Sequence, residues 1–148
     1  MELDQEKCSL DIILVDPSKR TIEEKTITSD SNHGLFKEIK KLIECPWAEA
    51  VTFNEERDHV YVDEEGAFRD NIKFWTIKTN FTKEPIILRN KGVICGTDHQ
   101  GDEMKATETL DQIKDRIQWG LGREVKNSIF SMQNSVDIKL TNHNLFTH

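Results

Sequence analysis

The chain has 148 residues, of which 36% are hydrophobic and 32% charged, and its net charge is −7. This length is typical of one domain with a core of its own. The acidic balance argues against direct nucleic-acid binding, because such proteins neutralise phosphates with Lys and Arg. No stretch is apolar for long enough to span a bilayer, and the acidic N-terminus has no signal-peptide pattern, so we expect no membrane association.

The three cysteines, Cys8, Cys45 and Cys95, are widely spaced and form no CxxC pair. This spacing indicates neither a disulfide framework nor a zinc knuckle. Free thiols are typical of a reducing compartment. The histidines are scattered along the chain. We therefore expect a protein that is cytoplasmic, or one that is exported by a route that leaves no cleavable signal. We assign no metal, cofactor or catalytic residue.

The first third of the chain predicts two strands and a helix. The run SLDIILVDP is apolar on both faces and stops at an Asp-Pro pair, which favours a central strand. TIEEKTIT follows a Pro-Ser-Lys-Arg turn and predicts its hairpin partner. In SDSNHGLFKEIKKLIECP, Leu35 and Ile39 recur at helical spacing. Asp30, Ser31 and Asn32 are all candidate N-caps of this helix.

The middle of the chain predicts up to five more strands. AEAVTF and HVYVD flank a polar turn, with Phe53 and Val60 on the inner face. KFWTIKT and EPIILRNKGVICGTD add up to three strands. Asn90, Lys91 and Gly92, between IIL and VIC, predict a hairpin turn, because glycine accepts the positive φ that such turns need.

A second helix is predicted in ATETLDQIKDRIQWG. Thr109 and Gln112 form a capping box at its start, and Gly120 ends it. Trp119, at the end of this amphipathic helix, is expected to be partly exposed and available to a partner. The helix has a narrow apolar stripe, so we expect it on the surface of the sheet.

The pattern weakens after Gly122. SVDIKL alternates cleanly and predicts a strand from Ser135 to Leu140, followed by a mobile tail from Asn142. We therefore expect a single α+β domain over residues 1–122, with a mixed or antiparallel sheet of about six strands and two helices packed on it. Residues 123–148 form a C-terminal extension through which the chain could form a homo-oligomer.

The order of these segments resembles a known family. The matching stretches are ILVDPSKR, FKEIKKLI, AEAVTF, VYVDEEG with Asn71 after it, and IILRNKGVICGTDHQGD. Over residues 10–118 they are similar to the small phage- and plasmid-borne proteins grouped as domain of unknown function 3846. The C-terminal extension and a longer WTIKTNFTKEP insertion depart from the family pattern. The resemblance implies a compact intracellular domain of unknown activity, carried by mobile elements, and brings no catalytic residue.

Two acidic stretches are candidate sites. In VDEEGAFRDN, Asp63 ends a strand and Glu64 and Glu65 precede a glycine, with none of the alternating aspartates of a calcium loop. We interpret this stretch as a structural turn whose carboxylates could face a partner. CGTDHQGDE is the second candidate, a tight loop whose backbone N–H groups could hold an anion. Its candidate ligand-binding residues are Gly96, Thr97, Asp98, His99, Gly101 and Asp102.

Charge is the strongest functional signal in the sequence. Residues 54–70 carry seven acidic side chains and two arginines, and residues 98–115 carry six acidic side chains and two lysines. If the two segments lie on one side of the sheet, the protein has an acidic face for a basic protein partner. A small-molecule or nucleotide-binding protein, using the Gly96–Gly101 loop and the helix N-terminus near Thr107, is the alternative. An enzyme is the third possibility.

Overall fold

The computed structural model of this chain describes residues 8–121. The predicted strand from Ser135 to Leu140, the tail from Asn142 and the oligomer role of residues 123–148 lie outside the described residues. Within them, the chain forms nine strands, two α-helices and a 3₁₀ turn at Gly66–Phe68. In chain order the strands and helices are β1 (Cys8–Asp16), β2 (Thr21–Ser29), α1 (Asn32–Leu42), β3 (Ala48–Thr52), β4 (His59–Asp63), β5 (Phe74–Ile77), β6 (Ile86–Arg89), β7 (Gly92–Thr97), β8 (Glu103–Met104), α2 (Leu110–Arg116) and β9 (Ile117–Trp119).

The strands form two antiparallel sheets. The main sheet has the order β2-β1-β7-β4-β3, with β8 also paired to β7, and the second sheet has the order β6-β5-β9. The apolar run of β1 lies beside the centre of the main sheet, as its two apolar faces predict. The predicted α+β class, with about six strands in one sheet and two helices, is confirmed.

Helix α1 covers one face of the main sheet. Ser31 is the N-cap, because its side chain accepts a hydrogen bond from the backbone N–H of Gly34. Leu35 and Ile39 are buried and pack in one core cluster with Ile12 of β1, Tyr61 of β4 and Val93 of β7. The helical spacing of these apolar residues is therefore what attaches the helix to the sheet.

The opposite face of the main sheet packs against the second sheet and α2. Trp75 and Phe53 are fully buried in this core, together with Val60 and Ile113. Gly92 is required here, because a Cβ on it would lie 2.8 Å from Cζ2 of Trp75. The inner face predicted for the β3–β4 hairpin, with Phe53 and Val60 pointing into a core, is confirmed.

Two expectations from the C-terminal half were wrong. Asn90, Lys91 and Gly92 do not close a hairpin, because β6 pairs with β5 in the second sheet while β7 pairs with β1 and β4 in the main sheet. Asn90 has φ 62° and turns the chain from one sheet to the other. The predicted second helix is too long.

Helix α2 ends at Arg116 instead of Gly120, although its capping box at Thr109 and Gln112 is present. Residues Ile117–Trp119 form β9, where Trp119 lies opposite Trp75. The backbone of β9 pairs with β5, and the Gly120 N–H donates to the carbonyl oxygen of Phe74 at 2.8 Å, so the chain after Arg116 is hydrogen-bonded as a strand. Trp119 is half-buried, whereas Trp47 is 61% exposed, so Trp47 is the more accessible of the two.

Candidate functional site

Strand β4 separates the acidic turns that precede and follow it. Residues 54–58 form the turn before His59, and Asp63, Glu64 and Glu65 begin the turn at the other end. A five-residue strand spans about 15 Å. The acidic side chains of residues 54–70 therefore lie at two different ends of the main sheet.

The turn before β4 lies beside the loop that follows β7. Arg57 donates from Nη2 to the carbonyl oxygen of Asp98 at 3.0 Å, and the Thr97 hydroxyl donates to the carbonyl oxygen of Arg57 at 3.2 Å. These bonds bring four carboxylates to one end of the sheet, three of them on exposed residues and that of Asp98 half-buried. We call this surface the acidic rim and define it as Glu55, Glu56, Asp98 and Asp102.

The loop at residues 98–102 is closed by its own hydrogen bonds. Oδ1 of Asp98 accepts from the backbone N–H of Asp102 at 2.9 Å and of Gln100 at 2.8 Å, and Gly101 donates to the Asp98 carbonyl. These bonds, led by the one from Asp102, lower the pKa of Asp98. Three of the N–H groups predicted to face an anion, those of Gln100, Gly101 and Asp102, are therefore already used, while His99 is exposed beside them.

Gly96 is a packing residue. It is buried, and a Cβ on it would lie 2.7 Å from the carbonyl oxygen of Lys105 and 3.0 Å from Oδ1 of Asp58. The glycine is therefore needed for close approach of the chain after β8. The predicted ligand-binding residues thus differ in position: Gly96 is inside, Thr97 bridges to the neighbouring turn, and Asp98, His99, Gly101 and Asp102 form the loop.

The turn at Asp63 is structural. Asp63 is buried, and its carboxylate accepts from Arg69 Nε at 2.8 Å and from the backbone N–H of Glu65 at 2.9 Å. Glu64 and Glu65 are exposed. Trp119 shares a surface groove with the β1–β2 turn, which lies at this same end of the main sheet. The residues predicted to contact a partner are therefore far from the acidic rim.

Asp58 links the acidic rim to the start of α2. Its buried carboxylate accepts from the backbone N–H of Thr107 at 2.9 Å, the Thr107 hydroxyl at 2.7 Å, the backbone N–H of Glu108 at 3.2 Å and the side chain of Asn54 at 2.9 Å. The N–H groups near Thr107, predicted to hold a phosphate, therefore already bind a carboxylate of the chain. A cavity of about 590 Å³ lies nearby, between residues 105–110 and the face of β1 and β2 that carries Asp11 and Glu24.

Directly below the acidic rim lies a buried polar cluster, which we call the His–Cys–Glu cluster: His59, Cys95 and Glu103. The antiparallel register places His59 opposite Cys95 and Thr97 opposite Glu103. Side chains two residues apart on a strand share a face, so Cys95 and Thr97 point the same way. Tyr61, two residues after His59, joins the cluster from β4.

The three members of the cluster contact one another directly. Nε2 of His59 lies 2.9 Å from Oε2 of Glu103 and 3.4 Å from Sγ of Cys95, and Sγ lies 3.3 Å from Oε2. The Tyr61 hydroxyl donates to Oε1 of Glu103. On the other side of the imidazole, Nδ1 lies 3.1 Å from the carbonyl oxygen of Arg57.

Proton positions in the cluster follow from burial and hydrogen bonding. Burial disfavours the charged forms of His59 and Glu103, but their mutual hydrogen bond and their other partners outweigh burial. The pKa of His59 is raised and the pKa of Glu103 is lowered, so both shifts favour the charged form of the His59–Glu103 pair. Burial first, and then the Glu103 charge, raise the pKa of the Cys95 thiol, and burial and the bond to Glu103 raise that of Tyr61.

The arrangement does not match a nucleophile–base–orienter triad. In such a triad the nucleophile and the carboxylate contact different nitrogens of the imidazole, whereas Cys95 and Glu103 both contact Nε2 of His59. The raised pKa of Cys95 also keeps its thiol protonated, and only a thiolate is a strong nucleophile. The ligand atoms of the cluster all lie within 4.8 Å of one another, so these residues could hold a metal ion.

The sequence interpretation missed this cluster. The sequence pattern assigns Thr97 to the candidate ligand-binding loop and counts Glu103 among the acidic side chains of residues 98–115, but it gives no role to Cys95 or His59. The alternating patterns H-x-Y in β4 and C-x-T in β7 are the available signal, because each places two polar side chains on one face of a strand.

Comparisons with known proteins give a family but no described activity. A family model described as domain of unknown function (DUF3846) matches residues 10–118. No curated protein matches the chain, and no solved structure does. No helix in residues 8–121 combines the length and apolar character needed to cross a membrane.

Proposed function

This chain belongs to the DUF3846 family, a domain of unknown function, and we propose that it is a non-catalytic binding protein that engages a basic protein through the acidic rim. The observation that supports the proposal is the Arg57–Asp98 hydrogen bond, which holds two acidic turns side by side. Glu55, Glu56 and Asp102 are exposed there. Arg57 is the only lysine or arginine in these two turns. The carboxylates outnumber it, so the rim keeps a negative potential toward a partner.

We propose that the interaction takes place in the cytoplasm. Cys8, Cys45 and Cys95 are all free, which fits a reducing compartment. If a mobile element carries the gene, the basic partner would be a host defence or DNA-binding protein whose basic groove the rim occupies. Duplex DNA should then compete with the rim for that partner, because both present closely spaced negative charges.

A pair of charge-reversal variants tests the position of the binding surface. The rim variant carries Glu55→Lys and Glu56→Lys, and the control carries Glu64→Lys and Glu65→Lys at the opposite end of β4. All four glutamates are exposed, and the one ion pair that the control variant removes is the exposed contact of Glu65 with Arg69 at 3.8 Å. Each protein is used to capture partners from the native host at low and at high salt, and the captured protein is then purified and its affinity measured directly.

We expect a basic partner that the wild type and the control bind and the rim variant does not, with affinity falling as salt screens exposed charges. A partner lost only by the Glu64/Glu65 variant would move the surface to the other end of the sheet and overturn the rim. Absence of any specific partner at low salt would overturn the proposed function itself.

A small-molecule-binding protein is the second candidate, and the cavity beside residues 105–110 is the observation that favours it. Its lining offers the carboxylates of Asp11 and Glu24 together with Lys105 and several threonines, which suits a polar ligand. A thermal-shift screen of nucleotides with and without Mg²⁺ tests it, since a specific ligand raises the melting temperature by mass action. No observation within residues 8–121 favours the third possibility, an enzyme.

A further inference from the structure

The His–Cys–Glu cluster has the composition of a transition-metal site. It combines an imidazole nitrogen, a thiol sulfur and a carboxylate oxygen, which are the three ligand types that Zn²⁺ takes in proteins. The thiol and imidazole select against Mg²⁺ and Ca²⁺, which prefer oxygen ligands only. Three different strands supply the three ligands, so their convergence is a property of the sheet and not of one flexible segment.

The distances within the cluster suit such an ion. Ligand atoms around a tetrahedral Zn²⁺ lie about 3.3–3.6 Å apart, because Zn–N and Zn–O bonds are about 2.0–2.1 Å long and Zn–S bonds about 2.3 Å. The two separations that involve Sγ of Cys95, 3.4 Å to His59 and 3.3 Å to Glu103, are already close to this range. The His59–Glu103 separation of 2.9 Å needs to open by a few tenths of an ångström.

The remaining polar atoms of two ligands are held by other groups. Nδ1 of His59 donates to the carbonyl oxygen of Arg57 at 3.1 Å, so Nε2, which faces Glu103 and Cys95, is the nitrogen that ligates once its proton has left. Oε1 of Glu103 accepts from Tyr61, so Oε2 is the oxygen that faces Cys95 and His59. Metal ligands in proteins are oriented by such outer contacts.

Charge balance also favours a divalent ion. With Cys95 ionised, the thiolate and the Glu103 carboxylate together carry two negative charges, which a divalent cation neutralises inside the protein. The thiol proton and the proton held between Nε2 of His59 and Oε2 of Glu103 both leave to solvent as the sulfur–metal and nitrogen–metal bonds form. Glu103 is the one ligand with solvent exposure, 27% of its side chain, so the fourth coordination position faces this side and is open to water.

We propose that His59, Cys95 and Glu103 form a three-ligand binding site for a divalent transition-metal ion of the Zn²⁺ class, with the fourth position open on the Glu103 side. The site lies beneath the acidic rim but does not depend on the partner proposed for it. Tyr61 positions the Glu103 carboxylate and does not itself bind the ion.

The test uses the full chain, treated with a chelator and kept reduced, and titrated with Co²⁺ as a spectroscopic stand-in for Zn²⁺. We expect one Co²⁺ per chain with a thiolate-to-cobalt charge-transfer band that one equivalent of Zn²⁺ abolishes. Cys95→Ser should lose the band, while the matched control Cys45→Ser, a buried thiol that donates to the Trp47 carbonyl, should keep it. Tyr61→Phe should keep the band and weaken affinity by about tenfold.

Wild-type protein that takes up no Co²⁺ would overturn the proposal, and the cluster would then be a metal-free ion pair with a hydrogen-bonded thiol. Equal loss of the band in Cys45→Ser, or its survival in Cys95→Ser, would also overturn it, because the sulfur would then come from elsewhere. If Cys95→Ser is unstable, His59→Gln and Glu103→Gln offer the second comparison. Each should lower Zn²⁺ affinity at least tenfold in a competition titration.

Discussion

Replacing Asp58 with asparagine removes one charge at constant shape, and the structure sets the size of the effect. Oδ2 of Asp58 accepts three hydrogen bonds, from Thr107 Oγ1, the Glu108 N–H and Asn54, whereas Oδ1 accepts one, from the Thr107 N–H. The new NH₂ group therefore costs least at the Oδ1 position. It still faces the Thr107 N–H, so that donor is left without an acceptor in a partly buried site.

An orphaned donor costs about 1–3 kcal/mol, and the three other bonds lose the extra strength that a charged acceptor gives them. We expect Asp58→Asn to lower the free energy of unfolding by about 2–4 kcal/mol, which corresponds to a melting temperature lower by about 10 °C for a domain of this size. Urea unfolding followed by tryptophan fluorescence measures it. The matched control is Glu55→Gln in the same turn, which is exposed and should change stability by less than about 0.5 kcal/mol. Equal urea midpoints for the two variants would refute the reasoning, because the Asp58 carboxylate would then not hold the turn to the start of α2.

Two further predictions concern the core and the cluster. Gly92→Ala places a methyl group 2.8 Å from Cζ2 of the fully buried Trp75, so it should lower the free energy of unfolding in urea by about 1–3 kcal/mol. The control Gly66→Ala, whose new methyl group would have its nearest atom at 3.5 Å, should lower it clearly less. Equal losses of stability in the two variants would contradict the close contact at Gly92. In chelator-treated protein, the raised pKa of His59 stabilises the fold below pH 6.5, and this contribution is lost as pH rises through the pKa that His59 has in the folded protein. The lowered pKa of Glu103 stabilises the fold above pH 4.5, and this contribution is lost as pH falls through the pKa that Glu103 has in the folded protein. The stability difference between wild type and Glu103→Gln should therefore be greatest between these pH values, and a pH-independent difference would show that the two groups do not form an ion pair.

The sequence predicted the elements of this fold better than their pairing. Helix α1 follows from the spacing of Leu35 and Ile39, and the capping box at Thr109 follows from two residues three positions apart. Both are local patterns. The hairpin expected at Asn90 was wrong because a turn residue reports the backbone conformation of the turn and not which strands meet beyond it. A positive φ such as that of Asn90 is compatible with a crossing between two sheets as well as with a hairpin turn.

The candidate site was harder to predict for the same reason. His59 and Cys95 are 36 positions apart, and their contact is set by the register between β4 and β7. A shift of one residue in that register would send one of them to the other face of the sheet. The acidic segments were visible as charge, but their separation along β4 was not. The burial of Asp58 and Asp63 also removes two carboxylates from the surface charge that composition suggests.

The crossing at Asn90 has a consequence for how the protein is made. Strand β7 lies between β1 and β4, so the two N-terminal hairpins, β1–β2 and β3–β4, have no common neighbour until residues 92–97 leave the ribosome. Up to that point of synthesis, each hairpin exposes an unpaired strand edge that can join another chain. Sheet closure by a late central strand also requires contacts between residues far apart in sequence, which slows folding. Nascent chains that stop before residue 92 should therefore be the species most prone to aggregate and most dependent on chaperones.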